Sequence, residues 1–347
     1  MGFDPNAAAS PDSGAFGLPN TESDARVILL PVPFDATTSY GKGAANGPAA
    51  ILEASKQVDL FDLETGRPYE AGIFMLEESA DVLRWNEAGN SLSAKVIEAA
   101  GVVEGKPELV DALRQVNAIS AQVNDFVHAE TLRLIDAGKV VGLVGGDHAV
   151  PFGCIRAHAD RFPGLSVLHF DAHADLRPAY EGFEWSHASI MDNVVAKTSI
   201  ARLVQVGIRD LSEEEFNRIE QSNGRIVSFY DVDLKRAQRC GEPWDDIAAR
   251  IAETLGDKVY ISFDIDGLDP ALCPHTGTPV PGGLAFHEAT AVIEAVVRSG
   301  RRIVGFDLNE AAPGPEGDEW DANVGARLLY KLIGWTLVSQ GLSQPRR

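Results

Sequence analysis

Residues 169–177 read HFDAHADLR and set two aspartates, Asp171 and Asp175, among two histidines, His169 and His173, directly after an apolar run. Two further segments carry the same residue types. VGGDHAV (144–150) holds Asp147 and His148, and SFDIDGLDP (262–270) holds Asp264, Asp266 and Asp269. Alternate residues of an extended chain face one side. Asp171 and His173 therefore converge, Asp175 follows if the chain stays extended, and Asp264 with Asp266 does the same from a neighbouring strand. The expected cluster is His148, Asp171, His173, Asp175, Asp264 and Asp266. His169 and Asp147 are read as supporting or packing residues beside it.

Four carboxylates cannot crowd together unaided. A like-charged pair at 4 Å costs roughly 4 kcal/mol at an effective dielectric of 20, so something positive must sit among them. Two divalent cations cancel four carboxylates, and aspartates bridge ions about 3.5 to 4 Å apart, where a shared water becomes hydroxide near neutral pH. Oxygen-rich ligation with two imidazoles and no thiolate favours Mn²⁺ over Zn²⁺, with Ni²⁺ or Fe²⁺ as alternatives. A single aspartate at a strand end is more often a cap or turn former; the weight rests on the joint pattern. FDIDGLD alone also looks like the nucleophile motif of haloacid-dehalogenase phosphatases, or loosely a calcium loop. It comes too late in the chain for the first and lacks the later glutamate of the second.

The elements that must position these groups are short apolar runs bounded by turn residues, at 26–33, 139–146, 165–172, 202–208, 224–229, 258–265 and 301–308. Most are β-branched and hydrophobic almost throughout, as strands covered on both faces are. Helical patterns alternate with them, for example at 117–139, 245–256 and 286–300, the first and last closing on glycine. The expectation is an α/β fold: a mainly parallel central sheet sandwiched between helices. In open sheets of this kind ligands sit beyond the carboxyl ends of the strands, which is where the three acidic segments fall. Residues 1–25, rich in Gly, Pro, Ser and Asn, read as a mobile arm. Residues 26–340 read as one domain, with 80–116 as an insertion or flap over the site.

Composition narrows the partners. With 51 acidic against 30 basic residues the formal charge is −21, which repels nucleic acid and draws in small cations. No apolar run reaches the eighteen or so residues of a membrane span, and the N-terminus lacks the basic and apolar blocks of a signal peptide, so a cytoplasmic protein is expected. Cys154, Cys240 and Cys273 are scattered, without the close pairs of a zinc or disulfide framework.

Taken together, PVPFD, GGDHAV, DAHADLR, SFDIDGLDP, GTPVPGGL and FDLNE resemble, in that order, the motifs of the ureohydrolase family, which includes arginase and agmatinase. The resemblance covers about residues 27–335. It implies a three-layer α/β/α fold, a dinuclear metal centre usually made with manganese, homotrimeric or homohexameric assembly and the same six ligands. By the same resemblance His187 in EWSHAS matches a histidine that shuttles protons, and Glu310 in FDLNE matches the glutamate that receives the guanidinium. The chemistry that follows is attack of hydroxide on a guanidinium carbon and release of urea, with the amine protonated through His187 or Asp175.

The substrate is then a small cationic guanidino compound. Glu181 and Glu184, close to His187, disfavour a substrate carboxylate, and SHAS is similar to an agmatinase segment, so agmatine is the first expectation. Segments 35–43 and 314–332 look similar instead to a branch that includes nickel-dependent hydrolases of free guanidine, where Trp320 would stack on the flat ion and Thr37 or Thr38 would close the pocket. Guanidinobutyrate, a metal-loading factor and a non-catalytic, metal-stabilised scaffold also stay open.

Overall fold

The computed structural model describes residues 3–345. In chain order the elements are β1 (Val27–Val32), α1 (Gly47–Ser55), β2 (Ile73–Met75), α2 (Ala80–Glu98), α3 (Pro107–Asp136), β3 (Val140–Gly145), α4 (Phe152–Arg161), β4 (Ser166–Phe170) and α5 (Ile190–Lys197). There follow β5 (Arg202–Ile208), α6 (Glu213–Glu220), β6 (Ile226–Tyr230), α7 (Asp231–Arg239), α8 (Trp244–Glu253), β7 (Lys258–Asp264), α9 (Phe286–Arg298), β8 (Arg302–Asn309) and α10 (Trp320–Ser339). All eight strands join one parallel sheet in the order β2-β1-β3-β8-β7-β4-β5-β6.

Alternation along the strands builds two cores. Val27 and Leu29 face one side, with Ile51 of α1, Ile251 of α8, Val292 of α9 and Leu332 of α10. Ile28 and Leu30 face the other, with Val127 of α3, Ile155 of α4 and Val194 of α5. Helices thus cover both faces, which is why the strands are apolar at nearly every position. The three-layer α/β/α expectation is met.

The sheet order matters for the site. β3, β8, β7 and β4 are consecutive neighbours at its centre, and parallel pairing sends all four carboxyl ends to the same edge. Phe170, the last residue of β4, and its register partner Phe263, next to last in β7, stack with ring centroids 4.6 Å apart. Such a pair contributes about 1 kcal/mol beyond its buried area, and it pins together the tips from which Asp171 and Asp264 emerge.

Several boundaries differ from the sequence reading. β2 is an eighth strand of three residues, too short to show a period. The helix expected at 117–139 begins ten residues earlier, with Pro107 in its first turn where a missing N–H costs nothing. The polar stretch 80–116 is almost all helix: α2 and the start of α3 lie side by side as a hairpin. The arm expected at 1–25 is tied down, because Ala15, Phe16 and Leu18 are buried in the first core and the Phe16 ring lies 4.9 Å from that of Tyr330; residues 1 and 2 lie outside the described residues. Among the described residues no helix is long and apolar enough to cross a membrane.

Candidate metal centre

The six residues singled out by type and spacing meet at the carboxyl edge of the four central strands. His148 follows β3, Asp171, His173 and Asp175 follow β4, and Asp264 ends β7, with Asp266 in the 3-10 turn Ile265–Gly267 that follows. His148 Nδ1 lies 3.0 Å from Asp171 Oδ2, 3.3 Å from Asp175 Oδ2 and 3.4 Å from Asp264 Oδ2. His173 Nδ1 lies 3.4 Å from Asp171 Oδ1 and 3.1 Å from Asp266 Oδ2. The two groups share Asp171, one oxygen facing each.

The route to this convergence is not the extended chain expected from period two. Asp175 sits in the left-handed region at φ 54°, a turn that swings its carboxylate back toward His148. Asp266 is delivered by a tight turn in which its N–H donates to Asp264 Oδ1 at 2.8 Å. Glycine permits the close approach: a methyl on Gly267 would come within 2.7 Å of the Asp171 nitrogen, and one on Gly146 would overlap the Phe34 carbonyl. Glu310 also takes a positive φ, 62°. Strain of this kind persists where the surroundings over-determine it, and it concentrates at functional sites.

Hydrogen bonds behind the cluster fix which imidazole nitrogens are free. Ser262 Oγ–H donates to Asp307 Oδ1 at 2.9 Å, so its oxygen accepts from His148 Nε2–H, also at 2.9 Å. Nδ1 of His148 is thereby the nitrogen turned to the three aspartates, which outweigh burial and raise the ring's pKa well above the usual range. Gln205 Nε2 donates to His169 Nδ1 at 3.0 Å, which puts the His169 proton on Nε2, 2.8 Å from Asp171 Oδ2. His169 therefore supports Asp171 and has no lone pair to offer an ion. Ser228 Oγ–H in turn donates to Gln205 Oε1 at 2.8 Å. Ser262, Asp307, Gln205 and Ser228 escaped the sequence reading; their one signal is that each is a polar residue at a strand position where its neighbours are apolar.

The electrostatics fit a pair of cations. Burial, then the charge of Asp171, pushes Asp175 up to about 8, and burial with Asp266 and Asp171 holds Asp264 well above the carboxylate range. Burial opposes the charge of His173, but Asp266 and Asp171 outweigh it and push His173 up to about 12. The side chains alone thus hold protons that divalent ions would displace. His148, His169, Asp171 and Asp175 bring ligand-type atoms within 4.8 Å of one another, and so do Asp171, His173 and Asp266. With His169 assigned to support, the remaining donors are oxygen-rich, include two imidazole nitrogens and contain no thiolate, a set suited to hard or borderline divalent ions.

A cavity of about 240 Å³ opens above the cluster, with His173, Asp175 and His187 among its walls and Ser39, Tyr40, Arg177 and Tyr180 nearer its rim. Burial, then the charge of His173, pushes His187 down to about 4 and keeps it neutral. Glu310 is buried beside the cluster. Its Oε1 accepts from the His148 backbone N–H at 2.8 Å, while Oε2 is buried with no hydrogen-bond partner. Burial, then Asp147, holds its carboxyl well above the usual range. Thr37 and Thr38 both donate to Asp147 Oδ2, at 3.0 and 3.4 Å, so they steady the residue before His148, and it is their neighbours Ser39 and Tyr40 that line the cavity. Trp320 is not brought to the site: it is 46% exposed, and its indole N–H donates to the Ala271 carbonyl at 3.0 Å. The stacking role expected for it meets an indole anchored elsewhere.

Comparison with known proteins identifies relatives along almost the whole chain. An N(1)-aminopropylagmatine ureohydrolase of Thermus thermophilus is 36% identical over 321 residues, 92% of this chain and 93% of its own. An agmatinase of Bacillus subtilis is 30% identical over 310 residues, 89% of this chain and 91% of its own. The solved agmatine ureohydrolase of Thermoplasma volcanium shares the fold at a TM-score of 0.67 and 24% identity, covering 93% of this chain and 94% of its own. Proclavaminate amidino hydrolase from Streptomyces clavuligerus does so at a TM-score of 0.71 and 22% identity, covering 96% and 100%. The model of the arginase family matches residues 25–334, a span that takes in every strand tip bearing the acid and imidazole cluster, and by that match the chain belongs to the arginase family.

Proposed function

We propose that this chain hydrolyses a linear guanidino compound to urea and an amine, with agmatine, cleaved to putrescine and urea, as its substrate. The observation that carries the reading is the pairing of the six-residue cluster with Glu310, whose buried Oε2 has no partner. A carboxylate is the natural partner of a guanidinium, because the two planar groups form parallel charge-assisted hydrogen bonds. A buried carboxylate lacking one accumulates the cost of desolvation, which a bound guanidinium relieves. Relatives named for agmatine and aminopropylagmatine support an amine-tailed substrate, and so does the chain's net charge of −21.

In this reading His148, Asp171, Asp175 and Asp264 would hold one divalent ion, and Asp171, His173 and Asp266 would hold the second. Bound there, such ions would supply Lewis acidity and acidify water. The chain's own groups do the rest. Glu310 orients the guanidinium so that its carbon faces the cluster. His187 is neutral because burial and the charge of His173 disfavour its protonation, and its Nε2 has no hydrogen-bond partner among the described residues; the proton that the attacking water gives up passes to that nitrogen and from it to the departing amine. Asp175, on the same wall, is the alternative donor.

Manganese is our assignment for the ions, from the donor set; nickel belongs with the alternative in which free guanidine is the substrate. The resemblance also supports a homotrimer or homohexamer, which light scattering measures directly. The deciding experiment incubates Mn²⁺-loaded and Ni²⁺-loaded protein separately with agmatine, guanidinobutyrate, arginine and guanidine and measures urea. We expect urea from agmatine with manganese. Urea from guanidine alone, with nickel alone, transfers the assignment to the other branch. No urea from any pair leaves a metal-stabilised scaffold and ends the catalytic reading.

A further inference from the structure

Two loops make up much of the wall of the cavity above the cluster, alongside Asp210, Leu211, Glu215 and Thr278. One runs from β1 to α1 and contributes Ser39 and Tyr40; the other runs from β4 to α5 and contributes Arg177, Tyr180, His187 and Ala188. With the guanidino end of a substrate at the floor, beside His173 and Asp175, the remainder of the molecule would lie against these two loops. What holds them apart at a fixed width therefore decides which tails fit. Neither loop is held only by its own backbone.

The first loop is fastened to α2. Asn90 Nδ2 donates to Asp35 Oδ1 at 2.8 Å, and Asn90 Oδ1 accepts from Lys42 Nζ at 2.9 Å, so a single amide spans the loop near both ends. One turn earlier Asn86 Oδ1 accepts the Asp35 backbone N–H at 2.9 Å. Between them Gly89 lets the loop lie directly on the helix, since a methyl there would come within 2.7 Å of the Ala36 side chain.

The second loop is fastened to the same hairpin at its far end. Phe183, fully buried, inserts between Val96 of α2 and Ala112 and Val116 of α3, forming a small core separate from the two that flank the sheet. Asn117 of α3 grips the backbone on either side of it, donating to the Gly182 carbonyl at 3.2 Å and accepting the Glu184 N–H at 2.9 Å. The α2–α3 turn closes the contact, because Gly101 packs against the Glu181 backbone, where a methyl would approach to 2.7 Å.

We infer that the α2–α3 hairpin is a tail-reading brace: Asn90 and Asn117 are positioning residues that set the spacing of the two cavity loops and thereby the fit of the part of the substrate beyond its guanidino group. The inference rests on the urea-releasing reading above for its kinetic test. It is independent of that reading in its physical content. Neither asparagine is a ligand candidate or a wall of the cavity, so metal content is the built-in control. A merely structural role would lower stability and active fraction; a positioning role moves KM apart from kcat.

The test compares Asn90→Ala, Asn117→Ala and the conservative Asn117→Asp in the full-length, Mn²⁺-loaded protein, measuring bound metal, steady-state kinetics on agmatine and amide hydrogen exchange. The expected result is a rise in KM of fivefold or more in each alanine variant, with kcat within twofold and bound metal unchanged. Asn117→Asp keeps the acceptor for Glu184 and should recover part of the loss. Exchange should quicken at 35–43 in Asn90→Ala and at 179–185 in Asn117→Ala, with the sheet unaffected. Unchanged KM, or a fall in kcat alone, overturns the inference, and so does unaltered exchange in both loops. If the wild-type protein releases no urea, the proposed function falls while the exchange measurement still decides the brace.

Discussion

Asp171 is the residue on which both halves of the cluster depend, since one oxygen faces His148 and the other faces His173. Exchanging it for Asn keeps the size and removes the charge, so in the proposed reading both ions would lose a ligand at once. We expect Asp171→Asn to bind less than half the metal of the parent protein by elemental analysis and to release no urea; an active, fully loaded variant would sink the assignment. Gln205 offers a subtler handle. It touches no candidate ligand atom, yet it sets the His169 tautomer that supports Asp171. Losing such a supporting partner typically costs about 10- to 100-fold in metal affinity. Gln205→Leu should therefore weaken metal binding by roughly that factor in a chelator competition, with activity restored at high metal. Glu310 is separable from both, because its role is toward substrate: Glu310→Gln should retain metal and lose kcat/KM.

At the scale of elements, the strands are legible because both faces are buried: 140–145 is apolar throughout, and apolar residues outnumber polar ones at 166–170 and 258–264. The candidate ligands were legible for a related reason: acids and imidazoles at the ends of such strands have few bland explanations when three segments agree. What was not legible is what depends on contacts remote in sequence. Three residues of β2 carry no period. The polar faces of α2 look solvated until the loops that Asn86 and Asn90 bind are in place. The stacking role that the similarity of segment 314–332 assigns to Trp320 is not legible in its surroundings, where the start of α10 points its indole to the Ala271 carbonyl. Nor does local pattern reveal the left-handed turn at Asp175. The tips themselves are held by close backbone contact, and this is testable at Gly267. A methyl there would press on the Asp171 backbone at 2.7 Å, which cannot rotate away, and overpacking of this kind costs about 1–3 kcal/mol. Gly267→Ala should lower the urea midpoint accordingly and weaken metal binding with it, because the displaced atoms lie just beyond the ends of β4 and β7, at the cluster.

For the molecule as a whole, acidity has two opposing consequences. A formal charge of −21 means that protonating surface carboxylates relieves self-repulsion as pH falls. Against this stands His158, fully buried between α4 and the sheet, its Nδ1–H donating to the Cys154 carbonyl at 2.8 Å and its ring packed 4.9 Å from that of Tyr260. Nε2 is buried without a hydrogen-bond partner of good geometry, and burial outweighs the nearby Cys154 and Val304 carbonyls to push the ring down to about 4 from its ordinary 6.5. Between those values the unfolded chain binds a proton that the folded chain refuses. Stability therefore rises with pH across this window, and the contribution of neutral His158, complete above 6.5, is lost progressively as pH falls toward 4. At 1.36 kcal/mol per unit the loss approaches about 3 kcal/mol. Other groups titrate in the same range, so the measurable quantity is a difference. His158→Gln removes the titration while keeping a polar side chain, and the variant should be less stable than the parent at pH 7.5 by a packing cost that does not vary with pH. The gap between their unfolding free energies, followed by urea denaturation at fixed metal concentration, should shrink by up to about 3 kcal/mol between pH 6.5 and 4. A gap that stays constant over that interval would mean the imidazole gains its proton as readily inside the fold as outside it.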